Sequence, residues 1–454
     1  MLDRAIFAGV LTTITLTAIP YGTVEVWWES LFECLVFLLT ALWIIEGGLR
    51  GSWFVREHRL LLPLVALVVF AFIQSLSFSS MGSVGDVVVN KSISLDPYGT
   101  RLAAFKLLAL VLVAGLLLRY TSNVKRLQIL IYVVIGIAIF SGFFGIVRQT
   151  TQRGEESFIL PELSMGTGYA QFINRNHFAF LMEMAFGLTL GLMIDGMRRQ
   201  RLLMYIAAAL PVWIALILSN SRGGLLSMIS QVMLFALALT LTSPRNTSPE
   251  ASQLSKIRRF GDSPVARIAV GVCLVCALIA GMFWVGGEPL AERIGSIQDE
   301  TGTELVYVRE GSRRTEIWQA TLQLIRDNPV AGSGLGAYWV AISMHHDASG
   351  VATPQQAHND YLELLAGGGV IGMALAGWFI IQLSKYVRKQ LAAPDTYRRA
   401  ACLGALCGMF GVAIHSFMDF GLHITINALV FTALLVIATA DFRFNVHEND
   451  APLF

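Results

Sequence analysis

Residues 127–147 read LQILIYVVIGIAIFSGFFGIV and carry no charged side chain. A helix needs about 20 mostly apolar residues to cross the hydrocarbon core of a bilayer, so this run predicts a transmembrane helix. The strands of a membrane β-barrel are about 10 residues long and alternate in polarity, which excludes that class. The full chain of 454 residues is 55% hydrophobic and 14% charged, whereas soluble domains have about 25% charged residues. The sequence therefore predicts an all-α polytopic membrane protein.

Similar apolar runs recur along the chain, and we predict about 12 transmembrane helices. Lys and Arg gather in alternate connections, for example at Arg198, Arg199 and Arg201, and such connections face the cytoplasm. The connections at 21–27 and 418–423 have no Lys or Arg and belong on the outer side. Every connection alternates correctly when both termini are cytoplasmic. The predicted spans are 5–20, 28–46, 60–77, 102–118, 127–147, 176–195, 202–219, 223–241, 267–285, 369–384, 400–417 and 424–441.

The spans divide the chain into four parts. Residues 1–285 hold the first nine helices, residues 369–441 hold the last three, and residues 442–454 form a cytoplasmic tail. Residues 286–368 form the longest outer connection, and we name this segment the cap. A stretch at 242–266 is rich in Ser, Pro and basic residues, which predicts a flexible cytoplasmic linker.

The cap has the pattern of a folded unit, because it is long and not of low complexity. Residues 312–327 place apolar side chains at helical spacing and end at an Asn-Pro pair, which predicts a helix. The glycines of residues 332–336 predict a tight turn. A second short helix is expected at 337–346 and a third at 358–366.

The last part of the cap reads PQQAHNDYLE at residues 354–363. So many polar side chains at a hydrocarbon boundary indicate a function. His358 is the candidate general base, because an imidazole titrates near neutral pH and can accept a proton from an attacking hydroxyl. On a helix, Tyr361 would share its face and Glu363 would pair with Asn359. The alternative is a histidine that only caps the helix.

Several arginines are expected on the outer side, against the usual charge bias of membrane proteins. Arg222 is placed at the outer N-terminus of the eighth span, where a bound anion would offset both this bias and the helix dipole. Arg309, Arg313 and Arg314 cluster in the cap, and guanidinium groups suit a diphosphate because they bond phosphate oxygens in pairs. The alternatives are an Arg222 that reaches lipid headgroups and cap arginines that pair with nearby glutamates.

Polar residues at the other outer helix ends give weaker signals. Asn176 either caps the sixth span or supports the site, and His177 fits a boundary histidine. His415, Asp419 and His423 surround the last outer turn, where they could orient the substrate, although a short polar turn needs such residues anyway. The chain has neither the paired-Asp motifs that hold Mg²⁺ nor a P-loop, so we expect no metal and no cofactor. We also expect no nucleic-acid partner.

Three stretches of the chain resemble the O-antigen ligase / O-antigen polymerase superfamily. They are FINRNHFA at 172–179, SNSRGG at 219–224 and the motifs of the cap. Within the cap, RTEIW at 314–318 leads through the glycine turn to HNDYLE at 358–363 and GVIG at 369–372. The order and spacing of the cap motifs is the specific part of the resemblance.

The resemblance implies a GT-C-like, metal-independent, inverting glycosyltransferase in the bacterial inner membrane. Its donor would be a glycan linked to undecaprenyl diphosphate, and its active site would face the periplasm. His358 would activate the acceptor hydroxyl, and Arg222 and Arg314 would hold the diphosphate, with Arg313 and Arg309 as further candidates for that contact. The supporting residues would be Asn176, Asn359, Tyr361 and Glu363.

These motifs do not encode the acceptor. We favour an O-antigen ligase of lipopolysaccharide biosynthesis, which passes the polysaccharide to lipid A–core. A polymerase of lipid-linked repeat units and a protein O-oligosaccharyltransferase share the motifs and remain alternatives.

An alternative of another class is a transporter of polyprenyl-linked glycans. A transporter should have charged residues near mid-bilayer and two halves that are structural repeats of each other. The polar groups of this chain are instead expected at one face of the membrane. For a transferase, His358, Arg222 and at least one cap arginine should line one cavity open to the outer leaflet.

Overall fold

The computed structural model describes residues 2–53, 57–84, 87–151, 168–195, 199–242, 310–346 and 354–441. Four predicted features lie outside these residues: the ninth span at 267–285, the linker beyond residue 242, the first part of the cap at 286–309 and the tail at 442–454. Within the described ranges, the helices are α1 (Leu2–Thr17), α2 (Val26–Arg50), α3 (His58–Gln74), α4 (Pro97–Tyr120), α5 (Val124–Thr151), α6 (Arg175–Asp195), α7 (Arg199–Leu218), α8 (Arg222–Thr242), α9 (Glu310–Asp327), α10 (Tyr338–Ile342), α11 (Asp360–Leu391), α12 (Thr396–His415) and α13 (Thr425–Thr439), with a 3₁₀ turn at Gly421–His423.

Seven helices of the described part are long and apolar enough to cross a membrane, namely α2, α4, α5, α6, α7, α11 and α12. The shorter helices α3, α8 and α13 are also apolar. All of these helices coincide with predicted spans. The chain is therefore a mostly helical, multi-pass membrane protein, while the total of twelve spans and the GT-C-like architecture stay predictions.

The all-α prediction is wrong for one segment between α3 and α4. Strands β1 (Ser77–Val84) and β2 (Val87–Ser92) pair there in antiparallel fashion. The run Val87-Val88-Val89 favours extended backbone, because β-branched side chains fit a pleated strand. Hydropathy does not separate such a short apolar run from the end of a helix.

The buried side chain of Gln74 ties the end of α3 to the cap. Its Nε2 donates to the carbonyl oxygens of Ala331 (2.6 Å) and Gly367 (2.8 Å). Its Oε1 accepts from the backbone N–H of Leu335 at 3.1 Å. A buried amide that is satisfied at both ends fixes the segments that it joins. The glycine turn of the cap is thereby held between α3 and α11.

The glycine turn has the backbone that its sequence predicts. Gly332, Gly334 and Gly336 have φ values of 70°, 110° and 82°, a region that glycine adopts without a steric penalty. A Cβ on Gly332 would lie 2.3 Å from the carbonyl carbon of Gly367. Only glycine fits this close approach between the turn and α11.

Helix α11 is kinked at Gly369, where φ is 60° and ψ is −160°. A Cβ at this position would lie 2.3 Å from the carbonyl oxygen of Val330. The kink coincides with the predicted boundary between the cap and the tenth span, although the division into domains stays a prediction. It separates a short first segment, which begins at Asp360, from the longer apolar part of the helix.

Helices α6 and α12 cross at a pair of glycine contacts. A Cβ on Gly191 would lie 2.1 Å from Gly404 N, and a Cβ on Gly187 would lie 2.3 Å from Gly408 N. Small residues let helix backbones approach closely in a membrane, where lipid is as apolar as the side chains. The tight crossing fixes the N-terminus of α6 beside the C-terminus of α12, and the candidate site lies at this end of the bundle.

Candidate active site

His358 lies in the loop before α11 and is not part of the helix. The predicted helix at 358–366 is wrong at its start, because α11 begins at Asp360 and Asn359 is its N-cap. The Oδ1 of Asn359 accepts from the N–H groups of Tyr361 and Leu362, each at 3.0 Å. His358 itself has φ 49°, a left-handed conformation that is uncommon for a residue with a side chain. Such backbone outliers persist where the surroundings hold them, often at functional sites.

The imidazole of His358 pairs with the carboxylate of Asp419. Its Nδ1 lies 3.2 Å from Asp419 Oδ1, and the His358 side chain is 31% exposed whereas that of Asp419 is 1% exposed. A carboxylate only accepts hydrogen bonds, so Nδ1 carries a proton, and in the neutral imidazole Nε2 then carries the lone pair. Within the described residues, no protein group bonds Nε2. The arrangement therefore orients a partly exposed imidazole with its basic nitrogen away from the buried carboxylate.

Further contacts keep Asp419 ionised. Its Oδ2 accepts from Asn176 Nδ2 at 2.5 Å, and its Oδ1 also accepts from the backbone N–H of Phe420 at 2.9 Å. Burial alone would raise the pKa of Asp419, but the hydrogen bond with His358 and the positive charges around it, including that of Arg314, lower the pKa below its ordinary value. Asp419 is therefore a fixed negative charge behind His358.

The same network reaches the N-termini of α6 and α8. Asn174 caps α6 by accepting from the N–H of Asn176 at 2.8 Å, so Asn176 is not the cap. The Oδ1 of Asn176 accepts from Ser221 Oγ at 2.8 Å, and Ser221 Oγ accepts from the N–H of Gly224 at 3.2 Å. Arg222, the first residue of α8, therefore begins its helix beside this network.

The loop that carries His358 is bonded to the end of α12. Ser416 Oγ donates to Asp360 Oδ2 at 2.7 Å, and the Tyr361 hydroxyl donates to Ala413 O at 2.7 Å. Asn359 Nδ2 donates to Phe417 O at 3.1 Å. The predicted sharing of a helix face by His358 and Tyr361 is therefore wrong. Tyr361 and Asn359 instead hold the loop in place.

Glu363 also supports this loop, but not through the predicted pair with Asn359. Its Oε2 accepts from the N–H of Ala357 at 2.9 Å, directly before His358. Its Oε1 lies 3.3 Å from His423 Nε2. The prediction was wrong because the side chain of Asn359 already caps the helix and faces away from the next turn.

Helix α9 carries Arg314 towards this site. Trp318 Nε1 donates to Ala357 O at 3.0 Å, which docks α9 against the loop before His358. Arg314 precedes Trp318 by four residues and shares its helix face. The effect of Arg314 on the pKa of Asp419 places its charge in the same region. Arg309 and the side chain of Arg313 lie outside the described residues, and the single cavity predicted for His358, Arg222 and a cap arginine stays a prediction.

A second histidine–carboxylate pair lies deeper in the bundle. His415 Nδ1 lies 3.0 Å from Glu183 Oε2, and these side chains are 1% and 0% exposed. The ring of Phe180 stacks on the ring of His415, with 4.0 Å between the two ring centroids. Since no substrate can reach a pair this deeply enclosed, its contacts connect α6 and α12 rather than perform chemistry.

Asp419 was only a weak candidate for the site from the sequence, and no role in the site was predicted for Ser221 or Phe420. The Phe420 ring packs edge-on against His358 at 4.9 Å and against His177 at 4.8 Å. A polar turn between two spans was the available signal for Asp419, but a turn needs polar residues for solvation as well. Among the described residues, no group of three or more His, Cys, Asp or Glu side chains has the arrangement of a metal site.

Comparison with known families places this site in context. Residues 206–377 match the family model described as O-Antigen ligase. The matched segment contains Arg222, Arg314 and His358, whereas Asn176 and Asp419 lie outside it. No curated protein sequence matches the chain. The match confirms the resemblance stated from the motifs and indicates a membrane enzyme of the O-antigen ligase or polymerase type.

Proposed function

We propose that this chain, a member of the O-antigen ligase superfamily through residues 206–377, is a metal-independent, inverting glycosyltransferase. It moves a glycan from undecaprenyl diphosphate to an acceptor hydroxyl at the periplasmic face of the inner membrane. The observation that carries the proposal is the 3.2 Å contact between His358 Nδ1 and the buried carboxylate of Asp419. It leaves a basic nitrogen on a side chain that is partly exposed.

The reaction needs one proton acceptor and one anion stabiliser. The acceptor oxygen attacks the anomeric carbon of the donor sugar, and the bond from that carbon to the phosphate oxygen breaks. His358 Nε2 takes the proton of the attacking hydroxyl, and Asp419 stabilises the imidazolium that forms. Attack from the face opposite the leaving group inverts the anomeric carbon.

The leaving group is undecaprenyl diphosphate, which gains negative charge as the bond breaks. Arg314 and Arg222 are the candidate partners of that charge, because both belong to elements that contact the His358 network. The N-terminus of α8 adds backbone N–H groups and a positive helix dipole. Fixed positive groups in a site of low water content stabilise a developing anion more strongly than water does.

We favour lipid A–core as the acceptor, which makes the enzyme an O-antigen ligase. A polymerase would use the same base and the same arginines, but its acceptor would be a second lipid-linked repeat unit. A transporter is disfavoured, because the contacts around the partly exposed base gather at one end of the bundle. The deeper pair of His415 and Glu183 is fully enclosed, whereas transport requires accessible polar sites near mid-bilayer.

Complementation of a ligase-null strain tests the proposal. Wild type, His358→Ala and Arg222→Ala would be expressed to equal levels, with glycan read out on lipopolysaccharide and on undecaprenyl diphosphate. We expect wild type to restore capped lipopolysaccharide and both variants to accumulate lipid-linked polymer. Arg59→Ala is the matched control, because Arg59 is exposed near the other end of α3.

The polymerase alternative predicts that wild type fails in this strain but restores chain length in a strain that lacks the polymerase. If His358→Ala matches wild type in both strains, His358 only supports the loop before α11, and the proposed mechanism is wrong.

A further inference from the structure

A second site with the chemistry of a phosphate pocket lies beside the His358 network. It is a cavity of about 230 Å³ between the end of α5, the start of α6 and the connection from α7 to α8. Arg148 and Arg175 both line it, together with the polar side chains of Gln149 and Ser219 and the turn residue Asn220. Two guanidinium groups in one small cavity suit phosphate oxygens, which they bond in pairs.

An unpartnered donor lines the same cavity. Tyr169 is 5% exposed, and its buried hydroxyl has no hydrogen-bond partner among the described residues. Burial raises the pKa of this hydroxyl, so it stays protonated and remains a donor. Leaving a buried hydroxyl unpaired costs free energy. The cavity thus has two cations in its lining and a residue with an unsatisfied donor in its wall.

An apolar groove continues from this cavity along α5. The groove has a volume of about 680 Å³, is open to the outside and is lined mainly by apolar residues of α5 from Ile129 to Phe144, together with Ala18 and Ile19 after the end of α1. Phe144 lines the groove and the next residue, Gly145, lines the cavity. At about 1.5 Å per residue, this stretch of α5 is roughly 22 Å long, which suits an extended hydrocarbon chain.

At two places in the chain, a residue that lines the cavity is followed directly by a residue of the His358 network. Arg175 lines the cavity, and the next residue, Asn176, bonds Asp419. Asn220 lines the cavity, and the next residue, Ser221, bonds Asn176. A headgroup held in the cavity therefore lies one residue along the chain from Asn176 and from Ser221, two members of the His358 network.

We propose that the cavity and the groove together bind the phosphate and the apolar chain of a second lipid, the lipid-linked acceptor of the transfer. The identification of this lipid as the acceptor rests on the proposed function. The binding of a lipid that carries phosphate does not depend on that function. Lipid A and a polyprenyl-linked repeat unit share the required chemistry, which is a phosphate on an apolar chain. Both recognition residues, Arg148 and Arg175, lie outside the segment that matches the family.

Binding measurements on the purified full chain in nanodiscs test this site. To remove the proposed donor site, all variants carry Arg222→Ala and Arg314→Ala. The probes are undecaprenyl phosphate, lipid A, phosphatidylglycerol and inorganic phosphate. We expect saturable binding of undecaprenyl phosphate or lipid A, and at least about tenfold weaker binding after Arg148→Gln with Arg175→Gln. Arg59→Gln is the control for lost charge and should bind as its parent does.

A substitution in the groove separates chain binding from charge. Gly136 lines the groove, and a Cβ on it would meet no atom within 4 Å, so Gly136→Leu begins its side chain in open space and directs it into the groove. A Cβ on Gly377 in α11 would also meet nothing within 4 Å, which makes Gly377→Leu the matched control. We expect Gly136→Leu to weaken binding about tenfold and Gly377→Leu to leave it unchanged.

Three results would overturn the proposal. Inorganic phosphate that binds as tightly as the lipids would make the cavity a site for free phosphate. Phosphatidylglycerol that binds equally well would make the groove an ordinary contact with bulk lipid. Variants of Gly136, Arg148 and Arg175 that bind like their parent would remove the site altogether. Because none of these readouts needs glycan transfer, failure here differs from failure of the proposed activity.

Discussion

The sharpest prediction concerns Asp419→Asn, which removes one charge and keeps the shape of the side chain. Asp419 accepts three hydrogen bonds, from His358, Asn176 and the N–H of Phe420. An asparagine has one oxygen and one NH₂ group. His358 and the N–H of Phe420 both donate to Oδ1, so the amide oxygen takes that position and the NH₂ group faces Asn176 Nδ2. His358 then keeps its orientation but loses the negative charge that stabilises the imidazolium formed when Nε2 takes the proton of the acceptor hydroxyl.

The size of the effect follows from these contacts. A hydrogen bond to a charged group contributes about 1.5–3 kcal/mol, which corresponds to a rate loss of about 10- to 150-fold. The new contact between two NH₂ groups, those of residue 419 and Asn176, adds to this loss, up to the roughly 10²–10⁴-fold that a general base supplies in total. We therefore expect Asp419→Asn to lower kcat by about 100- to 1000-fold. The KM for the donor should stay near the wild-type value, because Asp419 lies behind His358 and not against the diphosphate.

The assay is the initial rate of glycan transfer in proteoliposomes, measured over a range of donor concentrations and expressed per folded enzyme. A loss of proton transfer lowers kcat per folded enzyme and leaves the KM for the donor unchanged. A purely structural role would lower the amount of folded enzyme and leave kcat per folded enzyme unchanged. Asp395→Asn is the matched control, since Asp395 caps α12 and asparagine caps equally well.

The reasoning is refuted if folded Asp419→Asn enzyme transfers glycan within threefold of wild type. In that case the His358–Asp419 contact holds the loop together and has no part in proton transfer.

Three further predictions follow from single contacts. Arg314→Gln should raise the KM for the lipid-linked donor at least tenfold and Arg314→Lys less so, because lysine keeps the charge but not the paired hydrogen bonds; donor titrations check this. Gly369→Ala should lower the melting temperature in detergent, because alanine is strained at φ 60° and its Cβ would lie 2.3 Å from Val330 O. Gly377→Ala is the control and should be neutral or slightly stabilising. Asn359→Ala should lower stability by about 1 kcal/mol and also reduce transfer. Asn359→Asp keeps the cap but loses the hydrogen bond to Phe417 O, so it should recover only part of both. Asn359→Ala enzyme with wild-type transfer would contradict the role of this residue in holding His358.

The sequence predicts the elements whose structure depends only on residues close together in the chain. The apolar spans follow from hydropathy, because a bilayer admits only long apolar helices with their backbone groups paired internally. The helix at Glu310–Asp327 and the glycine turn also follow from local spacing. The β-hairpin before α4 was missed, because a short β-branched run resembles a helix end when only hydropathy is weighed.

The sequence by itself determined the membrane class, the positions of the helices and the choice of His358 as the candidate base. Only the tertiary structure decided what stands behind that base. Asp419 is 61 residues from His358, and Asn176 is 243 residues from Asp419, so no local pattern relates them. The close glycine crossing of α6 and α12 brings these ends together, and the capping role of Asn359 places His358 outside the helix. Helix positions are local properties of the chain, whereas the partner of a buried charge depends on which helix ends the packing brings into contact.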